Sequence, residues 1–174
     1  MNIFFLDRSP VLAAQYQVDK HVVKMIVETA QLLCTAHRVI DGRKDGSTWI
    51  LDDWRNEYFY RATHVNHPSS VWCRSSIENY IWLCDHLRAL GDEYTHRYDK
   101  KHATIIKLGY YLGSPPFNLK EWDWTEPPCA MDDEFVVSKD PVENYRNYYR
   151  LGKTKLHNWK NREEPEWLHS QYLT

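Results

Sequence analysis

The sequence predicts a mainly α fold: a single compact domain, residues 1–174, of about four to six helices with one long ordered loop rich in proline and tryptophan. Three observations carry this. Residues 18–38, "VDKHVVKMIVETAQLLCTAHR", place Val22, Val23, Ile26, Val27, Ala30, Leu33 and Cys34 at helical spacing. Helix-start signals, a capping side chain followed by proline, stand at Ser9-Pro10 and at Asp140-Pro141-Val142-Glu143. Residues 113–134, "GSPPFNLKEWDWTEPPCAMDDE", hold four prolines and no helical period.

In chain order, "NIFFL" (2–6) is short, apolar and β-prone: a strand, or an extended segment tucked into the core. Ser9 and Pro10 open a short helix in "SPVLAAQYQ". Asp19 is positioned to cap the long helix that follows, which runs to about Val39 before "DGRKDGS" breaks it. Residues 43–60 are mixed, with a helical turn in "DDWRNEYFYRAT" leading into "HVNHPSS". Ser69 or Ser70 starts the next helical region, and Ser75-Ser76-Ile77-Glu78 offers a second cap inside it. Ile77, Ile81, Cys84, Leu87 and Leu90 supply its apolar face as far as about Tyr98, and "HATIIKLGYYL" (102–112) reads as a further short helix. The last helix carries an apolar stripe of Val142, Tyr145, Tyr149, Leu156 and Trp159. Beside it runs a basic stripe of Arg146, Arg150, Lys153, His157 and Lys160.

With 43% hydrophobic and 26% charged residues, a chain of 174 residues has enough apolar side chain to fold around one core. No apolar run approaches the roughly 20 residues of a membrane span, and the start lacks a basic, then apolar, signal segment. The expectation is a soluble, cytoplasmic protein with no membrane partner. Cys34, Cys73, Cys84 and Cys129 are widely spread; the first three fall in predicted helices, as buried free thiols rather than a disulfide framework. A net charge of −2 argues against a bulk nucleic-acid coat, but the charge is segregated. Residues 121–134 carry six acids and no base, whereas residues 144–162 carry six bases and no acid.

A second row on the 18–38 helix steps through His21, Lys24, Glu28, Gln31, Thr35 and Arg38 by threes and fours. As a solvated face it amounts to a Lys24–Glu28 pair contributing about 0.2–0.5 kcal/mol. As a site it lines up a histidine, an amine, a carboxylate, an amide, a hydroxyl and a guanidinium. In "THVNHP", His64 and His67 suit a phosphate contact or a cap for the next helix, and Asn66 suits a base edge. A His-x-x-His outside a helix, with no fixed carboxylate or Cys nearby, is a weak metal signal, so neither metal nor cofactor is expected. Arg146, Arg150 and Lys153, interleaved with Tyr145, Tyr148, Tyr149 and Trp159, are the mixture that phosphate contact and base stacking use. They equally suit a C-terminal amphipathic helix whose cations complement its dipole.

The stretch "DKHVVKMIVE" resembles the first helix of the small phage pyrimidine-dimer DNA glycosylases with lyase activity, an Asp-x-His followed seven residues later by the catalytic Glu. Asp19, His21 and Glu28 stand at those positions, and "NYRNYYRLGK" (144–153) is similar to that family's aromatic, basic C-terminal segment. The chain also resembles uncharacterised phage proteins that share the "DKHVVKM" helix. The resemblance implies an all-α enzyme acting on DNA or a nucleotide. In that family an N-terminal α-amine attacks C1′ of a nucleotide, expels the base and forms an imine, while the Glu handles the sugar and the proton transfers. α-Amines suit this because as a class they titrate near about 7.7–8.0, against about 10.4 for lysine. Carried over, it implies Glu28 as the central carboxylate and the Met1 amine or Lys24 as nucleophile, with water activated by Glu28 a third route. His21, Gln31, Arg38, His64, Asn66, His67, Arg146, Arg150 and Lys153 become substrate contacts. The chain departs from the family in starting Met1-Asn2, where the family exposes a small residue. It also has Val27 and Gln31 where the family has arginines around its Glu. A non-catalytic protein that binds a nucleotide or a host protein is the alternative from another class.

Overall fold

A computed structural model describes residues 1–169. The fold is mainly α. Among the described residues the order is α1 (Pro10–Gln15), α2 (Asp19–Asp41), a hairpin of β1 (Arg43–Asp45) and β2 (Thr48–Ile50), α3 (Arg55–Tyr58), α4 (Pro68–Cys73), α5 (Ile77–Tyr98), α6 (Ala103–Leu108) and α7 (Pro141–Gly152). Short 3-10 turns lie at Tyr111–Gly113, Asp133–Phe135, Thr154–Leu156 and Glu166–Leu168. The helix count of seven exceeds the expected range because α3 and α4 are separate short pieces. None of the helices among the described residues is long and apolar enough to cross a membrane.

The cap signals translate directly into structure. Ser9, Ser76 and Asp140 accept hydrogen bonds from the backbone N–H groups of Leu12, Asn79 and Val142, satisfying donors that a helix start leaves orphaned. The region expected to start at Ser69 or Ser70 starts at Pro68, with His67 as the cap: its Nδ1 accepts from Ser69 N–H at 3.1 Å. Asp19 is not a cap. Val18 holds that position without a side-chain bond, and Asp19 instead joins Arg97 (2.8 Å), Asn158 (2.6 Å) and the Lys160 backbone N–H (3.0 Å). Arg97 also pairs with Glu93 at 2.7 Å, and Glu93 with Arg162 at 2.8 Å. This buried network ties the start of α2 and the end of α5 to residues 158–162.

α2 is the central element. Every position from Leu32 to Arg38 is buried, because α4, α5 and α6 all pack on it. Its first half is open on one side: Val23, assigned to the apolar stripe, is 39% exposed, and Val27 is half-buried. Likewise Ile81 lies outward on α5 while Trp82 and Leu83 face in. After α2 the chain folds back as a hairpin pairing Arg43 with Ile50 and Asp45 with Thr48. Gly46, at φ +59°, supplies the positive φ of its two-residue turn. At Gly42 a Cβ would overlap the carbonyl oxygens of Arg38 and Ile50, so only glycine lets the hairpin return this closely.

Residues 2–6 form no strand. They run as an extended, buried segment, with Ile3, Phe5 and Leu6 fully enclosed. In the loop 113–134, Trp124 packs on Phe5, Trp72 and Trp82, while Trp122 is 62% exposed. Cys34, Cys73 and Cys84 are buried free thiols, and burial raises all three above the usual thiol range. α7 stops at Gly152, so the basic and apolar stripes do not continue helically to residue 160. Lys153 leaves helical geometry at φ −120°, and Trp159 reaches the core from irregular chain.

Candidate active site

The open side of α2 meets the start of the chain. Asn2 is held by its backbone N–H and by both polar atoms of its side chain. Its Oδ1 accepts from the Ile3 and Phe4 N–H groups at 2.7 and 2.9 Å, an Asx turn. Its Nδ2 donates to Ala130 O at 2.7 Å, and its backbone N–H donates to Glu28 Oε2 at 3.2 Å. Phe4 follows at φ +53°, a conformation that a non-glycine residue holds only when its surroundings fix it. They do: its ring stacks on His21 at 4.1 Å and meets Tyr145 and Tyr149 edge-on. The first residues are thereby anchored on the carboxylate of Glu28, 26 positions away in sequence.

The other Glu28 oxygen, Oε1, lies 3.0 Å from Lys24 Nζ. The Glu28 side chain is 15% exposed and that of Lys24 is 67% exposed, so a shielded carboxylate carries a solvent-facing amine at its rim. His67 stands within electrostatic range of this group. Burial lowers its pKa first, then the positive charges of the chain's α-amine and of His64, against the opposing pull of Glu28. Because its Nδ1 accepts the capping bond, the neutral ring carries its proton on Nε2. The loop bearing it is pinned to α2 by Thr35, whose Oγ1 bonds both the carbonyl and the N–H of Thr63. His64 and Asn66 are exposed on this loop. Lys24 touches Glu28, the Asn2 N–H is bonded to it, and His67 feels the charges of Glu28 and of the α-amine, a set suited to nucleophilic attack with proton transfer.

Other residues of the sequence reading lie elsewhere or are occupied. Gln31 is half-buried one turn beyond Glu28. His21 is 6% exposed, with its Nδ1 2.6 Å from Tyr149 Oη. Burial, then the charges of Lys153 and Lys24, lowers its pKa to about 3, so it is a neutral buried prop beneath Phe4. Arg38 spends its donors on the carbonyls of Trp49, Asn56, Phe59 and Tyr60 and on Asn56 Oδ1. Arg146 bonds Leu6 O at 2.8 Å and Asp7 Oδ2 at 2.9 Å, holding the N-terminal segment rather than facing open solvent. Arg150 donates to Trp167 O, and Lys153 covers the Tyr148 ring at 4.4 Å.

Asn2, Phe4 and Ala130 escaped the sequence reading. An Asx side chain just before an apolar run is a turn signal that points to Asn2; nothing local points to Ala130, 128 residues away. Comparison with protein-family models, with curated proteins and with solved structures gives no match.

Proposed function

We propose that this chain is a DNA N-glycosylase-type enzyme, working through an amine beside Glu28. The observation that carries the reading is the 3.2 Å hydrogen bond from Asn2 N–H to Glu28, which brings the chain's start to the carboxylate. The amine lone pair forms a bond to C1′ of the nucleotide. The glycosidic C1′–N bond breaks, its electron pair leaves on the base, and the base takes up a proton. Loss of the amine proton and protonation of the ring oxygen then open the sugar to an imine. Glu28, shielded, paired with Lys24 and bonded to the Asn2 N–H one residue from the α-amine, is the group to relay these protons and to stabilise positive charge at C1′. Fixing amine and carboxylate in advance removes the entropy cost of bringing them together.

An abasic-site oligonucleotide tests this with the least assumption, since its C1′ aldehyde and an amine give an imine and water, and borohydride reduces the imine to a stable amine. The expected product is a covalent protein–DNA adduct. Peptide mapping identifies the attachment as the Met1 amine or Lys24, and Glu28→Gln suppresses it. Absence of both adduct and strand cleavage, on abasic and damaged-base duplexes alike, would sink the proposal.

A further inference from the structure

At the far end of α2 lies a cavity of about 320 Å³ between the hairpin and the loop after α3. Arg38, Arg61, Ser47, Thr48, Trp49 and Asn56 line it, and no carboxylate does. Arg38 is 3% exposed. All its hydrogen-bond partners are neutral, and among the described residues it has no ion pair. Its hydrogen bonds are satisfied, but its charge is not. Arg61, exposed at the mouth, likewise makes no hydrogen bond or ion pair among the described residues. Burial disfavours the charged form of Arg38, Cys34 opposes this, and the like charge of Arg61 adds to the burial effect. Two guanidiniums without a counter-charge, walled partly by protein, make a strong local positive potential. Nearby carboxylates are engaged away from it: Asp52 pairs with Arg43, and Asp53 with Arg55.

We propose that this cavity binds a phosphate of a polynucleotide strand. Ser47 adds a hydroxyl to the guanidinium of Arg61, while the Thr48 hydroxyl is donated to Asp45 O and holds the hairpin turn, and Trp49 offers a ring face for a base. The loop 61–67 runs from the cavity, at Arg61, to His67 beside Glu28. Ten residues of α2 separate Glu28 from Arg38, about 15 Å. A stacked strand advances about 3.4 Å per nucleotide, so the span corresponds to about four nucleotides. A free mononucleotide is too short to occupy both places. The choice of a strand over a mononucleotide rests on the glycosylase-type reading of Glu28; the anion cavity itself does not.

Amide and indole NMR of the whole protein tests both parts, with inorganic phosphate, thymidine monophosphate and an octamer of thymidine as probes. All three should shift the signals of Ser47, Thr48 and Trp49, and the octamer should bind at least about tenfold more tightly than the monophosphate. Arg61→Gln should weaken the octamer about tenfold and lower its salt slope by about 1, with melting unchanged, and Arg61→Lys should restore part of the affinity. No shift at Ser47, Thr48 and Trp49 with any probe, or unaltered affinity and slope in Arg61→Gln, would overturn the cavity assignment. Equal affinity for octamer and monophosphate would overturn the strand. Octamer binding here that survives in Glu28→Gln, alongside an absence of any borohydride adduct in the parent, would leave the cavity standing and remove only the glycosylase.

Discussion

α2 and α7 present the same kind of sequence, an apolar stripe flanked by a regular polar row, and the structure uses the two rows differently. On α2 the row divides. Lys24 stays open at the rim of a shielded Glu28, whereas Arg38 is drawn inside to cage the backbone of residues 49–60. On α7 the row is consumed: Arg146 grips Leu6 and Asp7, Arg150 grips Trp167, and the helix ends before Lys155 or Lys160 can join. A polar stripe becomes a site only where what packs on the helix leaves its side chains free. Periodicity identifies the stripe, and the packing partners decide its use.

The largest change expected from breaking this contrast is at Arg38. Arg38→Met should take the guanidinium from four backbone carbonyls and from Asn56 Oδ1, which keeps the Leu51 N–H, and cost about 3 kcal/mol, read as a fall in the denaturation midpoint. A loss under about 1 kcal/mol would mean that the cage is not structural. Next comes Glu28→Gln, expected to lower turnover on a DNA substrate by at least about 100-fold while stability stays within about 1 kcal/mol. Equal activity would clear Glu28 of catalysis, and parallel loss of folding would make it a packing residue.

A third effect is acid sensitivity. Burial lowers His21 to about 3, and His37 and His86 to about 4. Unfolded imidazoles take up protons below about 6.5, which the folded ones refuse, so stability is whole above about pH 6.5 and declines as pH falls toward 4. At pH 5 each contributes a loss of up to about 2 kcal/mol. His21→Asn should flatten the decline in melting temperature between pH 7 and 5, and an unchanged slope would show that His21 is protonated in the fold. The smallest effect sharpens the reading of α7. Arg146→Ala should cost about 1–2 kcal/mol through lost bonds to Leu6 and Asp7, without altering the salt slope of oligonucleotide binding. A slope lowered by about 1 would return Arg146 to the phosphate surface.

Much of the helical layout was legible because its signals are local. Ser9-Pro10, Ser76 and Asp140-Pro141 are helix starts whose chemistry acts within three residues. The end of α7 was not legible, since Leu156 and Trp159 keep the helical period by coincidence while the chain beyond Gly152 is irregular. Val23 was misjudged because hydrophobicity says that a side chain prefers burial, not that a neighbour exists to bury it. At the candidate site the α2 row could be read directly. The arrival of Asn2 at Glu28, and of Ala130 at Asn2, depends on tertiary packing that no short-range pattern encodes.

The buried network around Asp19 has a consequence for how the protein is made. Of the members of this network Asp19 is made first, Glu93 and Arg97 later, and Lys160 and Arg162 last. At about 5–20 residues per second, Asp19 waits about 7–28 s for Lys160, and Glu93 about 3–14 s for Arg162. Until then α2 lacks its final lock, and Ile3, Phe5 and Leu6 have no complete core to enter. Closure of this fold therefore waits for residues 158–162, and the apolar segment 2–6 must be kept from aggregating until they arrive.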